Sequence, residues 1–473
     1  MNDVRKGAEL DLKVEKLAFG GKALAHHDGL VIFMDHALPG QRVRVKLTKR
    51  KKQFAEGYVQ ECLSQSPHYT EPFCPHFGVC GGCSWQDLQY EEQLRWKRQH
   101  VLESLEHLAG VGEATVHPTV ASPATTGYRN KMEFTFSNRC WVEQLPRDYD
   151  RASRPDSLAL GLHARRSFEA VVNLDQCFLE SPLAIEILKE VRGWCGDTRV
   201  PAYSTRTHEG FWRFLVIREG KRTNQLMVHL LTSSQGNQGV LVEGLADHLQ
   251  SRFPGISTVV HSITDRKAQI ASGDLTRHLS GLGFIEDRLG PLKFRISPHS
   301  FFQTNTLAAE QLYQAILEAG DFNGRETVWD LYCGTGSIAL FIAAHVKQVV
   351  GFEVSEEAIS DAYDNCALNG IDNCSFVSGD LKDVLRQVNG SVPGYRSPDV
   401  VITDPPRAGL HPRVLKALLD MAPPRIIAVS CNPATLARDL VVLLQQYEIE
   451  FLQPFDLFPH TPHIECLVKL KKK

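Results

Sequence analysis

Residues 9 to 62 alternate apolar and polar positions in short runs: LDLKVEKLAF, GLVIFMD, QRVRVKLTKR and FAEGYVQEC. A period of two sends successive side chains to opposite faces, so these runs predict half-buried strands. Gly20-Gly21, Asp28-Gly29 and Pro39-Gly40 fall between them as turns. Five or so short strands in roughly fifty residues predict a small β-barrel of the OB-like kind. The period then changes. The stretch from Tyr90 to Leu108 carries Leu94, Val101, Leu102, Leu105 and Leu108 at helical spacing and predicts a packing helix. Between 127 and 290, strand-like KMEFTFS, FWRFLVIRE, QLMVHLLTS and ISTVVHSI mix with helical stretches at 182–195 and 239–253, which predicts an α+β middle unit. From about residue 320, VWDLYC, VVGFEV, CSFVSG, DVVITD, RIIAVSC and IECLVKL are separated by helices or loops. That alternation predicts a mostly parallel sheet with helices on both faces, an α/β, Rossmann-like domain. The expected units are 1–66, 67–290 and 291–473, and the closing KLKKK reads as a solvated tail.

Composition narrows the class. A chain of 473 residues suggests two to four domains. No stretch approaches eighteen apolar residues, which excludes a membrane-spanning helix. The N-terminus, MNDVRKGAELDLKV, has charges where a secretory signal needs an apolar core, so a cytoplasmic protein is expected. No obligate protein partner is evident, and a monomer is expected. The net charge of −3 excludes a polycation, yet Arg42, Arg44, Lys46, Lys49, Arg50, Lys51 and Lys52 lie close together. A local basic run binds phosphate even on a near-neutral molecule, and on a small barrel it suits RNA. Twelve cysteines in such a chain argue against a disulfide framework. Cys62, Cys140, Cys195, Cys366 and Cys374 are scattered and read as small packing residues.

Two patterns carry chemistry. Asp330-Leu331-Tyr332-Cys333-Gly334-Thr335-Gly336-Ser337 follows a predicted strand and precedes the helix IALFIAAHV. Gly334 and Gly336 allow a tight turn and close ligand approach at a helix N-terminus. Glu353 ends the next strand, where an acidic side chain accepts hydrogen bonds from ribose hydroxyls. A dinucleotide would favour a third glycine, where this chain has Ala339; Asp330 and the later Asp380 suit S-adenosylmethionine better. Cys74, Cys80 and Cys83 read C-x5-C-x2-C in a glycine-containing turn, a spacing that suits a soft metal. Spacing alone permits zinc as well as iron-sulfur.

Residues 6–64, from Phe19-Gly20-Gly21 through Leu38-Pro39-Gly40, resemble a TRAM domain, an RNA-binding barrel appended to RNA-modifying enzymes. Asp404-Pro405-Pro406-Arg407-Ala408-Gly409, Ser430-Cys431-Asn432-Pro433 and His463-Ile464-Glu465, taken with DLYCGTGS, resemble the uridine-5-methyltransferases of tRNA and ribosomal RNA. The resemblance spans nearly the whole chain. It implies methyl transfer from S-adenosylmethionine to carbon 5 of uridine, with Cys431 as nucleophile and Glu465 as base. Asp404 would sit against the uracil edge and border the cofactor, and Arg407 would orient the substrate. In SPHSFFQTN, Gln303 would contact the cofactor and Phe301 would stack near the target base. Tyr332 belongs to the implied cofactor loop, and Arg129 to an RNA-facing segment, YRNKMEF. The resemblance also implies Cys177 as fourth ligand, with Cys74, Cys80 and Cys83, of a [4Fe-4S] cluster. The family has a shorter tRNA branch without barrel or cysteine cluster, so the 23S ribosomal RNA branch is expected.

The chemistry explains why such residues are needed. Carbon 5 of uracil is a poor nucleophile. A thiolate added to carbon 6 enriches it, and a base must later remove its proton so that the thiolate leaves. An RNA cytosine-5 methyltransferase would carry Pro-Cys in place of Asp404-Pro405. An adenine N6 methyltransferase would carry an aromatic in place of Arg407. A non-catalytic iron-sulfur RNA-binding protein would not need Cys431 and Glu465 together, and no C-x3-C-x2-C radical motif is present.

Overall fold

The computed structural model describes residues 4–112, 116–141, 158–167, 169–236, 238–387 and 396–473. The N-terminal strands are Glu9–Lys13, Lys16–Leu17, Ala23–His27, Leu30–Asp35, Arg42–Arg50 and Phe54–Ser64, six in one sheet rather than five. Alternation gives each an inward row, with Leu12, Ile32, Val43, Val45 and Ala55 forming the core. That core is closed by Trp85, Leu88 and Trp96 from the segment that follows. Much of the basic run faces acids of its own sheet. Arg44 pairs with Asp11 at 2.9 Å and Glu61 at 2.8 Å, Lys46 with Glu9 at 3.5 Å, and Lys49 with Glu56 at 2.7 Å.

The helix Tyr90–Ala109 ends at Gly110, whose φ of 65° is the left-handed conformation glycine adopts readily. Trp96 enters the N-terminal core, while Val101, Leu102 and Leu105 pack on the C-terminal sheet. Gln93, Lys97 and His100 are buried along the same helix. The helix is therefore a strut between the two outer units.

The middle sheet has seven strands in the order Leu275–Ser280, Thr258–Ile263, Leu226–Thr232, Trp212–Glu219, Lys131–Ser137, Ala159–His163 and Val171–Asn173. Its core is shared with the helices Pro182–Asp197 and Gly239–Arg252.

The C-terminal sheet contains β1 (Thr327–Leu331), β2 (Gln348–Glu353), β3 (Cys374–Ser378), β4 (Val400–Thr403), β5 (Arg425–Ser430), β6 (Tyr447–Phe455) and β7 (Glu465–Lys472). Their order is β3-β2-β1-β4-β5-β7-β6. The first five run parallel, and β7 runs antiparallel between β5 and β6. Val328, Ile402 and Ile427 face one apolar layer, and their neighbours Trp329, Val401 and Ile426 the opposite one. Burial on both faces is what a doubly covered parallel sheet requires. The closing KLKKK is strand through Lys472 rather than tail, with Lys471, Lys472 and Lys473 exposed as expected: Lys469 and Lys471 lie in β7 and pair with Glu450 of β6 at 3.1 and 3.2 Å.

Candidate active site

Strand order reverses between β1 and β4, and ligands of open α/β sheets bind at such a point, beyond the carboxyl ends of the strands. The loop after β1 turns through positive φ at Tyr332 (66°), Gly334 (53°) and Gly336 (77°). A Cβ on Gly336 would lie 2.9 Å from Leu340 and 3.2 Å from Ala362, so packing alone demands glycine there. A Cβ on Gly334 would meet nothing within 4 Å, so open space lies over that residue. Glu353 ends β2, as expected, but its carboxylate already holds the loop. It accepts from the N–H groups of Gly334 at 3.1 Å, Val354 at 2.8 Å and Ser355 at 3.0 Å. Asp380 follows β3, is exposed, and pairs with Lys382 at 2.7 Å. Burial first, then the charge of Asp380, pushes the Tyr332 hydroxyl up to about 12.

The electrostatics of this crevice favour a cation. Asp330 is completely buried, and neither carboxylate oxygen makes a close hydrogen bond. Burial and then neighbouring Asp404 raise it well above the carboxylate range, only partly offset by the Ala339 N–H. Burial alone pushes Asp404 up to about 6. An acid such as Asp330, held out of water without a counter-ion, is what a bound sulfonium would stabilise. Gln303 is buried at the rim, its carbonyl accepting from Asn130 Nδ2 at 2.8 Å. The residues present thus fit S-adenosylmethionine.

Cys431 directly follows β5, and Glu465 opens the adjacent β7. Ser430 of β5 pairs with Cys466 of antiparallel β7, which sets Cys431 opposite Glu465, one step beyond. Both lie at the end of the sheet where Asp404 leaves β4. Glu465 is only 6 % exposed; burial and then Asp404 raise its carboxyl well above the usual range, and Arg407 opposes them. The Cys431 thiol is half-buried and pushed up to about 11 by burial and then by Glu465, while Arg407 favours the thiolate. Arg407 also donates to His463 Nδ1 at 3.1 Å. Burial, then Arg407, lowers His463 to about 4, which leaves it a neutral acceptor. The Arg407 carbonyl accepts from Asn432 at 3.2 Å and Thr435 at 3.4 Å, tying the loop after β4 to the helix Pro433–Leu443.

Phe301 is 66 % exposed, so it is not a core residue. Its carbonyl accepts from Thr335 of the glycine loop at 3.2 Å, so the exposed ring is anchored to the cofactor loop. Arg129 lines a cavity with Lys131 and Glu133 of the middle unit and Thr304 of the C-terminal one. Residues not singled out from sequence include Asn130, which bridges the units by donating also to Thr306 at 2.9 Å. Another is Arg218, a buried cation donating to the carbonyls of Pro298 at 3.2 Å and Ser300 at 2.7 Å, just ahead of Phe301. A cationic strand residue on a buried face breaks the apolar pattern, and that break was the available signal.

Cys74, Cys80, Cys83 and Cys177 line one cavity with Phe77, Leu162 and Leu179. Burial is the first cause that raises all four thiols, Cys83 to about 12 and Cys177 to about 11. Four thiols converging in an apolar pocket are a donor set of the right chemistry for a soft metal. Among the described residues, however, no three His, Cys, Asp or Glu side chains stand at ion-holding spacing. No helix among the described residues is long and apolar enough to cross a membrane.

Residues 243–473 match the family model described as tRNA (Uracil-5-)-methyltransferase, and residues 3–59 match the TRAM domain. A protein of Nitratidesulfovibrio vulgaris named as an uncharacterized RNA methyltransferase is 40% identical, covering 100% of this chain and 98% of its own length. One of the same description from Chlorobaculum tepidum is 40% identical over 98% of this chain and 96% of its own. Among solved structures, the Pyrococcus abyssi tRNA (uracil-54, C5)-methyltransferase in complex with S-adenosyl-L-homocysteine superposes with a TM-score of 0.75. It is 29% identical and covers 97% of this chain and 99% of its own. With a TRAM domain ahead of an S-adenosylmethionine-dependent catalytic sheet, and the motif residues gathered at one switch point, the chain belongs to the uracil-5 RNA methyltransferase family.

Proposed function

We propose that this protein methylates carbon 5 of a uridine in 23S ribosomal RNA, with Cys431 as nucleophile and Glu465 as base. The observation that carries the reading is the β5–β7 register, which sets a thiol and a buried carboxyl opposite each other beside the cofactor crevice. Half-buried Cys431 gives its proton to solvent, the thiolate being favoured by Arg407, and its sulfur bonds to carbon 6. The carbon 5–carbon 6 π pair moves onto oxygen 4 as an enolate, and carbon 5 becomes nucleophilic. S-adenosylmethionine, when bound, supplies the electrophilic methyl group that this carbon takes. Glu465 then accepts the carbon 5 proton; the C–H pair restores the ring double bond and the carbon–sulfur bond breaks, returning the thiolate. Asp404 faces the uracil edge and Arg407 orients the loop. Phe301 stacks on the base held out of its helix, and Arg129 contacts RNA backbone. Gln303, Asp330, Tyr332, Gly334, Gly336, Glu353 and Asp380 surround the cofactor.

Cys74, Cys80, Cys83 and Cys177 would hold a [4Fe-4S] cluster, whose contribution would be a thiolate-linked brace between the turn and the middle sheet. The enzyme acts in the cytoplasm as a monomer. A tRNA substrate is the second reading, favoured by the full-length likeness to the Pyrococcus tRNA enzyme. That likeness weakens the inference from the chain's overall architecture to ribosomal RNA.

The test is to map 5-methyluridine in ribosomal and transfer RNA from a strain lacking the gene. Purified protein and labelled S-adenosylmethionine are then used to restore the missing mark. Label in 5-methyluridine at one 23S position supports the proposal, label in tRNA selects the second reading, and label in 5-methylcytidine overturns both. Cys431→Ala should abolish covalent trapping on 5-fluorouridine RNA.

A further inference from the structure

The connection from Asp456 to Ile464 brings the chain from β6 to Glu465 at the start of β7. It carries a strained point, His460, whose φ of 65° is uncommon for a residue with a Cβ. Its polar backbone groups are held from other parts of the molecule. The His460 N–H donates to Gln93 Oε1 at 2.9 Å, across 367 positions of sequence. Gln93 Nε2 donates to the carbonyls of Trp85 at 2.9 Å and Leu88 at 2.8 Å, and lies 3.3 Å from His460 Nδ1. The His460 carbonyl accepts from the N–H groups of Ser84 at 2.8 Å and Trp85 at 3.0 Å. Tyr128 donates to the Pro459 carbonyl at 3.1 Å, and Lys97 to the Phe458 carbonyl at 3.1 Å. Gln93 is 1 % exposed, so its own four contacts are made away from water, where losing a partner is costly.

We infer that Gln93 is a positioning residue for proton removal: it clamps the segment after the cysteine turn to His460 and so fixes where Glu465 begins β7. This rests on Glu465 being the base. Gln93 reaches the base only through the backbone of the connection, so its loss should spare thiolate addition and methyl transfer. Cys431 follows β5, and none of the clamp's hydrogen bonds reaches it. The step that should slow is the last one, transfer of the carbon 5 proton with departure of the thiolate. A carboxylate displaced by about 1 Å loses on the order of 100-fold in such a step.

The experiment is a single turnover with substrate RNA and S-adenosylmethionine, quenched over time and run on a denaturing gel, where the protein–RNA adduct migrates separately. Wild type, Gln93→Leu, Gln93→Glu, Tyr128→Phe and Glu465→Gln are compared. Gln93→Leu should form adduct at a rate within about 2-fold of wild type and clear it on the order of 10–100-fold more slowly. Gln93→Glu keeps the acceptor for the His460 N–H and, with its buried carboxyl protonated, one donor for the Trp85 and Leu88 carbonyls, and should recover part of the clearance. Tyr128→Phe removes one bond to the same connection and should show the same selective delay, more weakly, which covers the case of an unfolded Gln93→Leu. Adduct that forms slowly and clears at the wild-type rate, or both rates falling together, overturns the inference. If Glu465→Gln itself fails to accumulate adduct, the base assignment falls and the inference with it. If Glu465→Gln accumulates adduct while both Gln93→Leu and Tyr128→Phe clear normally, only the inference falls.

Discussion

Replacing Lys97 with methionine would strip the Asp456 carboxylate of its counter-ion in a fully dry place. Both side chains are completely buried, and their N–O separation is 2.5 Å. At an effective dielectric constant of about 20, the attraction at that distance is about 7 kcal/mol. Desolvating two ions cancels much of it, consistent with burial pulling Lys97 below the usual lysine range against the pull of Asp456. The pair is thus worth little in net terms, yet removing one partner strands the other at about 3–5 kcal/mol. In a domain of this size each kcal/mol moves the thermal midpoint by about 2–4 °C, so Lys97→Met should melt roughly 6–20 °C lower. Differential scanning at neutral pH measures it. Lys97→Met with Asp456→Asn removes both charges and keeps the acceptor used by the Phe458 N–H at 2.9 Å, so most of the loss should return. A single variant that melts within about 2 °C of wild type, or a double variant no better than the single, would refute the reasoning.

Two further outcomes follow from the crevice. Phe301→Ala touches no core, so its melting should stay within about 0.5 kcal/mol of wild type. Its kcat/KM on RNA should fall about 5- to 100-fold, as loss of one stacking contact predicts; equal loss of stability and activity would place the ring in packing instead. Affinity for S-adenosylmethionine should rise with pH through the region of 6, because burial holds Asp404 at about 6 and a cation binds its ionised form. S-adenosylhomocysteine, which lacks the sulfonium charge, should show a flatter profile by titration calorimetry between about pH 5 and 8, and equal slopes would contradict this.

Much of this was legible in the chain because the decisive signals are local. KMEFTFS is Lys131–Ser137 residue for residue, since a strand with one buried row writes its period directly. The helix expected from Tyr90 to Leu108 ends one residue later, at a glycine stop. Cys431, Asp404 and the glycine loop sit at strand ends in contiguous motifs, so topology gathers them without further instruction. What escaped depends on distant partners. β6 was missed because its alternation breaks at a register shift between Ile449 and Phe451, and Pro454 is tolerated only because the strand lies at the sheet edge. Gln93 and Lys97 were passed over in a helix read for packing alone. Their burial is set by residues near position 460, which no window along the helix contains. Arg44, Lys46 and Lys49 looked like free phosphate ligands until folding set acids beside them.

The strut helix has a consequence for how the molecule is made. Lys97 leaves the ribosome 359 residues before Asp456, the carboxylate it needs. At about 5–20 residues per second, that interval is roughly 20–70 s of synthesis. For that time the helix has an ammonium group it cannot desolvate and an apolar flank with nothing to cover it. The N-terminal sheet can form early, but the strut can lock only when translation is nearly finished. Nascent chains halted before residue 456 should therefore expose this helix to proteases and chaperones, and release should bring protection of the helix in one late step.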